Sequence, residues 1–282
     1  MYCIERSLCF TLIPLKKNAS GSRSFEFNGR SYNITYHSNF NYKSFALVDC
    51  ITHYLRAKIF HEVYKKSDQD KPPTNPADSR ILKDIKMYGP FIDKEFVKSL
   101  YVNDDMIRSH PMFRTLNNGW EIYNLLKETS NIEYENFDYY YVKYSNIDEV
   151  YTYTPIPIID KCRLFNVELV KKKYGCNLYK IEFNSIFGKV FAYNVNIANL
   201  FLVQDNFYKL ESIGQNLYRF FNLFRSGKIN IDIEKIFELF CYDKNKNRTN
   251  LTRKIEKQFE SMRNLNMIKN YKLKYGIFEI EK

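Results

Sequence analysis

Arg253 and Lys257 stand four positions apart in a stretch whose apolar residues fall on other positions. Arginine can hold guanine through two parallel hydrogen bonds, and lysine can neutralise a backbone phosphate. Around this pair lie Arg248, Asn250, Lys254, Arg263 and Asn264, followed by Lys269, Lys272 and Lys274. These residue types suit the recognition of double-stranded DNA. Arg248, Arg253, Lys257 and Asn264 would face a groove, with Asn250 beside them. Lys254, Arg263, Lys269, Lys272 and Lys274 would meet phosphates, which fix register without reading sequence directly. Lys257 is also a candidate phosphate contact. Glu256 and Glu260 count against this reading, since a carboxylate can accept from cytosine but repels the backbone.

Covalent chemistry finds little support. No phosphate-cradling loop of the Gly-x-x-x-x-Gly-Lys-Ser/Thr kind occurs, because Gly188-Lys189 lacks the upstream glycine. A nicking enzyme of the rolling-circle kind needs a His-apolar-His triplet, which is absent. Serine-hydrolase and zinc-protease motifs are absent too. With 24 Tyr in the chain, no single nucleophilic tyrosine can be picked out. Asp160 with Glu168 and Lys171 loosely matches a magnesium-dependent nuclease, where carboxylates hold the metal and a lysine assists. That spacing is common on ordinary strands, so the nuclease is kept as a rival. The expectation is a protein that is not an enzyme and needs no cofactor. The aromatic run Asp138 to Tyr144 could stack bases, but such residues more often fill a strand face.

The elements that must position the basic residues are legible. Ile213, Leu217, Phe220, Phe221 and Phe224 mark one face of a helix over 211–225. Ser226-Gly227 ends it. Residues 228–231 read as a short strand, and Asp232 as the cap of a helix carrying Ile233, Ile236, Phe237 and Phe240. Residues 243–247 form a polar turn. A third helix, over 250–265, is capped by Thr249 or Asn250. Its Leu251, Ile255, Phe259, Met262 and Leu265 fall on one narrow face. Residues 267–273 and 277–280 read as strands joined at Lys274-Tyr275-Gly276. Helix, short strand, two helices and a hairpin make a winged helix, with 250–265 as the reading helix and the hairpin as the wing.

The block Asn166-Val167-Glu168 … Tyr179-Lys180-Ile181-Glu182-Phe183-Asn184 … Phe207-Tyr208-Lys209-Leu210 … Leu217-Tyr218-Arg219-Phe220-Phe221 resembles plasmid replication initiators of the winged-helix, iteron-binding type. The resemblance covers roughly residues 163–282. It implies a non-enzymatic protein that binds origin repeats, recruits host replication proteins, and is often built from two winged-helix domains.

Composition agrees with a polyanion partner. The chain has 282 residues, 45% hydrophobic, with a net charge of +11, enough apolar residues for a sizeable core and a basic surface suited to nucleic acid. None of the six cysteines forms a Cys-x-x-Cys pair, and the four histidines are scattered, which argues against zinc. Such thiols fit a reducing, cytoplasmic setting. No run is long enough to span a membrane. Leu8 to Leu15 reads as an opening strand rather than a signal peptide.

Upstream, residues 24–36 alternate around Asn28-Gly29, a hairpin signal. A helix is expected over 42–66, with Phe45, Val48, Ile51, Leu55, Ile59 and Val63 on one side. Residues 67–79, with three prolines, read as a loop. Short helices are expected over 81–87 and 93–102, another after Gly119, and a strand over 137–144. Residues 151–159, with Pro155 and Pro157, cannot form a central strand and read as a linker. Residues 163–170 and 177–183 read as a hairpin, whose tip Lys171-Lys172-Lys173 is a candidate phosphate contact.

The expected architecture is α+β, with two winged-helix-like domains. Residues 1–155 would form an N-terminal α+β domain, its role open between a winged helix, dimerisation and DNA contact. Residues 160–282 would form the C-terminal DNA-binding domain. Monomer and homodimer both remain open. The expected function is sequence-specific duplex binding at a plasmid origin, with a winged-helix transcriptional regulator as the alternative.

Overall fold

Alternating burial in short strands and one-sided burial in the helices beside them recur twice along the chain. A computed structural model describes residues 2–5, 21–27, 30–36, 42–66, 98–135, 137–145, 150–158, 162–172, 176–184, 200–203, 205–222, 227–239 and 248–282. The first half contains β1 (Tyr2–Glu5), β2 (Gly21–Phe27), β3 (Arg30–Tyr36), α1 (Tyr42–Lys66), β4 (Ser99–Asn103), α2 (Asp104–Arg108), α3 (Gly119–Ser130), β5 (Ile132–Glu135), β6 (Phe137–Ser145) and β7 (Val150–Ile158). Then come β8 (Cys162–Arg163), β9 (Phe165–Lys171), β10 (Leu178–Phe183), β11 (Leu200–Val203), α4 (Ser212–Phe221), β12 (Lys228–Asp232), α5 (Ile233–Leu239), α6 (Arg248–Asn264), β13 (Asn270–Lys274) and β14 (Ile277–Glu281).

The C-terminal unit follows the order read from the sequence: α4, β12, α5, α6, β13, β14. Its sheet runs β12-β14-β13, all antiparallel. Ile229, Ile231, Phe278 and Ile280 alternate inward beneath Phe221, Phe237, Phe259 and Met262. The Phe259 ring lies 5.4 Å from Phe221, 4.8 Å from Phe278 and 5.3 Å from Tyr271. Helix α6 begins at Arg248, two residues before the expected start. The Asp232 carboxylate accepts from the Glu234 N–H at 2.8 Å, as a cap should. At the wing tip Tyr275 and Gly276 take φ of 50° and 79°. Two positive values suit the twist of a tight hairpin.

Tyrosine is strained at the first of those positions. Asparagine tolerates it better, so Tyr275→Asn is expected to raise stability by about 1 kcal/mol. Urea denaturation checks this; an unchanged or lower midpoint would show that the tip carries no strain.

The same order recurs upstream: α1, β4, α2, α3, β9, β10, with sheet order β4-β10-β9. In both units the last strand lies centrally between the first two. The correspondence reaches single hydrogen bonds. Asn103 caps α2 by accepting from the Met106 N–H, as Asp232 caps α5. The Asp104 N–H donates to the Asn177 carbonyl at 3.2 Å, as that of Ile233 does to Gly276 at 2.9 Å. Each bond ties the second helix to the foot of the wing. The chain is therefore α+β with two winged-helix-like units.

Three expectations change. Residues 93–102 were read as a helix, but 99–103 form strand β4. Leu100 and Val102 alternate inward there against β10, so sheet pairing outweighs local preference. Residues 151–159 were read as a linker, but 150–158 form β7, paired with β6 in a two-stranded ribbon. Pro155 and Pro157 are two apart and so lie along one edge, the edge such a ribbon leaves unpaired. The hairpin at 163–183 forms, yet its strands pair with β4. The first unit's sheet thus crosses the division expected at 155–160. Residues 131–163 are an insertion between α3 and β9. It supplies β5 and β8 to the sheet β2-β3-β5-β8 and forms the β6-β7 ribbon.

The β2–β3 register, Phe27 opposite Arg30, matches the expected Asn-Gly turn; the turn residues themselves lie outside the described residues. So do the expected loop at 67–79, the helix at 81–87, the strand at 8–15 and the turn at 243–247. Among the described residues, no helix is long and apolar enough to cross a membrane.

Candidate nucleic-acid interface

Helix α6 is anchored by Ile255, Gln258, Phe259 and Met262, all buried. It crosses α4 at Gly214. A Cβ there would stand 2.5 Å from Gln258 Oε1 and 3.1 Å from Leu210 Cβ. The close approach turns the opposite face of α6 outward. Arg248, Asn250, Arg253, Lys254, Lys257, Arg263 and Asn264 are all exposed, as are Lys269, Lys272 and Lys274 beyond it.

Exposure separates into two classes once ion pairs are considered. Lys257 Nζ lies 3.3 Å from Glu211, Arg263 Nη2 lies 2.5 Å from Glu260, and Arg248 Nη2 lies 2.5 Å from Glu234. These three must exchange a carboxylate for a phosphate or base, at small cost at a wet surface. Arg253 and Lys254 have no ion pair among the described residues. Lys257, read from the sequence as free for the groove, is held by Glu211, the residue at the N-cap of α4. Glu260 is neutralised locally, since it takes Arg263 and lies 3.5 Å from the Tyr271 hydroxyl. That weakens the objection Glu260 raises.

In the wing, β13 places Lys272 and Lys274 on alternate exposed positions. An open groove on the outer sheet face is lined by Lys228, Asn230, Asn270, Lys272, Glu279 and Glu281 among others.

The first unit presents a corresponding helix, the one expected after Gly119, which the sequence had not offered as a contact surface. Asn118 caps α3 by accepting from the Glu121 N–H at 2.8 Å. Ile122, Leu125, Leu126 and Thr129 face inward. Trp120, Asn124 and Lys127 therefore face outward, and Trp120 is 64% exposed. Its ring lies 5.7 Å from that of Tyr123, over which Lys127 Nζ sits at 5.6 Å. The start of α3 is wedged against the foot of its wing. A Cβ on Gly119 would fall 2.1 Å from Asn177 Nδ2 and 2.6 Å from Asp104 Oδ2. The buried Asp104 carboxylate accepts from the Tyr179 hydroxyl at 2.6 Å and the Asn177 N–H at 2.8 Å. Lys171 and Lys172 are exposed near that wing's tip; Lys173 lies outside the described residues.

The two units meet where α1 passes α4. Arg219 and Asp49 are both buried and form a two-pronged pair, Nη1 to Oδ1 at 3.0 Å and Nη2 to Oδ2. The Tyr208 hydroxyl donates to the same carboxylate at 3.1 Å. Burial, then the Asp49 charge, hold that hydroxyl well above its ordinary pKa, so it stays a donor. The guanidinium carbon sits 5.1 Å from the ring centres of both Phe45 and Phe207. His110 of the first unit meets the Tyr208 ring edge-on at 4.3 Å. Its Nδ1 accepts from the Met112 N–H at 3.2 Å, which places the ring proton on Nε2. Sequence reading missed this cluster. Its signal was a charge inside an apolar run: Asp49 within 45–51, and Arg219 among Leu217, Phe220 and Phe221.

Of the residues in the nuclease reading, Glu168 and Lys171 are exposed on β9, three apart. Asp160 lies outside the described residues. Among the described residues, no group of three His, Cys, Asp or Glu is placed to hold a metal.

No family model and no curated protein sequence matches the chain. Among solved structures, a crystal structure of domains 2–3 of RctB is similar at a TM-score of 0.49 and 10% identity, over 98% of this chain and 96% of that one. A selenomethionine derivative of the same two domains gives 0.49 and 10%, over 99% and 98%.

Proposed function

We propose that this chain is a sequence-specific double-stranded DNA-binding protein that acts at repeats of a plasmid replication origin. The observation that carries the reading is the outer face of α6. It presents Arg253 and Lys254, which have no ion pair among the described residues, beside a wing that exposes Lys269, Lys272 and Lys274. A helix of these dimensions fits the major groove, with the wing against the flanking backbone. The second copy of the fold supports two contacts on one duplex, α3 presenting Trp120, Asn124 and Lys127 as the counterpart of α6. The resemblance around Leu217-Tyr218-Arg219-Phe220 points the role toward initiation. No covalent step is involved: binding loads the origin for host replication proteins.

Contacts of two kinds should respond differently. Arg253→Ala removes a base contact worth about 1–3 kcal/mol of discrimination, so preference for the cognate duplex over random duplex should fall about tenfold or more. Lys272→Ala removes a phosphate contact. It should weaken every duplex alike and reduce the slope of log affinity against log salt by about one. Fluorescence anisotropy on a duplex selected by the wild-type chain reads both. If both variants bind cognate and random duplexes as the parent does, α6 and its wing are not the reading surface. A footprint over repeated sites beside a replication origin is the expected location. Protection confined to a promoter would replace initiation with transcriptional control.

A further inference from the structure

We propose that the Asp49–Arg219–Tyr208 cluster is a positioning element: it holds α3 and α6 at one separation and orientation, so that the chain reads a two-part duplex with one spacer length. This rests on the tandem DNA-binding reading for its function, but the geometry it asserts belongs to the protein alone. Asp49 lies on α1 of the first unit. Tyr208 and Arg219 come from the second, on the turn before α4 and on α4 itself. Apolar burial at such a junction is non-directional and tolerates sliding. A two-pronged guanidinium–carboxylate pair admits one geometry. Here Tyr208 fixes the carboxylate from the side, while Phe45 and Phe207 each flank the guanidinium. Arg114 and Asp205, 3.8 Å apart at the rim, join the same two units.

A buried ion pair is seldom the most stabilising filling for such a site, because each charge loses its water. Apolar side chains of similar size would hold the units together as firmly. They would not hold them in register. Two reading helices must meet grooves that turn once every ~10 base pairs, so register matters for binding where it does not for stability. Both helices hang directly on the junction: α3 packs on α1 within the first unit, and α6 packs on α4 within the second.

The test replaces the pair with apolar residues of similar size, Asp49→Leu with Arg219→Met, in the full chain. Spin labels on unnatural residues at the exposed positions Asn124 and Asn264 report the distance between the two helices without DNA. Wild type should give one narrow distribution, and the double variant a broadened or shifted one at a similar melting temperature. Identical distributions, or a broad one in wild type, would overturn the proposal. If the double variant does not fold, Tyr208→Phe, which removes only the hydroxyl at Asp49, should broaden the distribution to a lesser degree; no change there would equally overturn it. On a selected duplex, a five-base-pair insertion between the two contacted segments should weaken wild type at least tenfold and the double variant less than threefold. Failure of wild type to bind any duplex would remove the DNA-binding reading while the distance measurement still decided the positioning role.

Discussion

Arg219→Ala should cost about 3–5 kcal/mol of folding stability, because it leaves the Asp49 carboxyl, which burial already pushes toward protonation, without its charged partner. Asp49 and Arg219 are 3% and 2% exposed, so water cannot re-solvate the survivor without opening the junction. Tyr208 would remain on Asp49 but carries no charge to offset it. The contacts of the guanidinium with the Phe45 and Phe207 rings would also be lost. Urea denaturation of the full chain checks this, with the apolar double replacement as the control. If Arg219→Ala alone costs less than about 1 kcal/mol, the range of an exposed pair, then the junction is open in solution and the two units are not docked through it.

Acid should destabilise the chain through His110. Burial first, then the charge of Arg219 and smaller contributions from His53 and Arg114, push its pKa down to about 3 from the ordinary 6.5. The folded chain therefore keeps a neutral imidazole where the unfolded chain binds a proton. Between those two values the unfolded state holds more protons, so stability rises with pH and is lost as pH falls. From about pH 6 toward pH 4 the expected loss is about 1.4 kcal/mol per unit from this one group. Carboxylates add their own slope, so the comparison is with His110→Asn, which keeps a short polar side chain that can cap Met112 and removes the titration. The variant's stability curve should be flatter than wild type by that amount over the same window. Parallel curves would mean that His110 is protonated or solvated in the folded chain.

The C-terminal unit was legible because its signals are local. The spacing of Ile255, Phe259 and Met262 fixes one face of α6, and Asp232 and Gly276 mark turns through their own backbone preferences. The outward set from Arg248 to Asn264 follows from the same periodicity, as does exposure of the wing lysines. Strand β4 was misread because a five-residue strand shows only two inward residues, Leu100 and Val102, which a helix could equally use. Its partner β10 lies about eighty residues away. The upstream winged helix was hidden for a related reason. The insertion at 131–163 separates α3 from its wing, so helix and hairpin are not neighbours in sequence.

Composition, charge and hydrophobic period thus gave the expectation of a polyanion partner, and they determined the elements of the second unit and the residues α6 turns outward. Each depends on contacts within a few residues or on sums over the chain. Only the tertiary structure decided which exposed cations are already paired: Lys257 is paired with Glu211, and Arg253 with no acid among the described residues. It alone decided that the hairpin at 163–183 closes the first sheet, and that Asp49 meets Arg219 across 170 residues. The physical reason is common to all three. Ion pairs and strand pairing are set by which surfaces pack together, and packing brings together side chains whose separation along the chain carries no local trace.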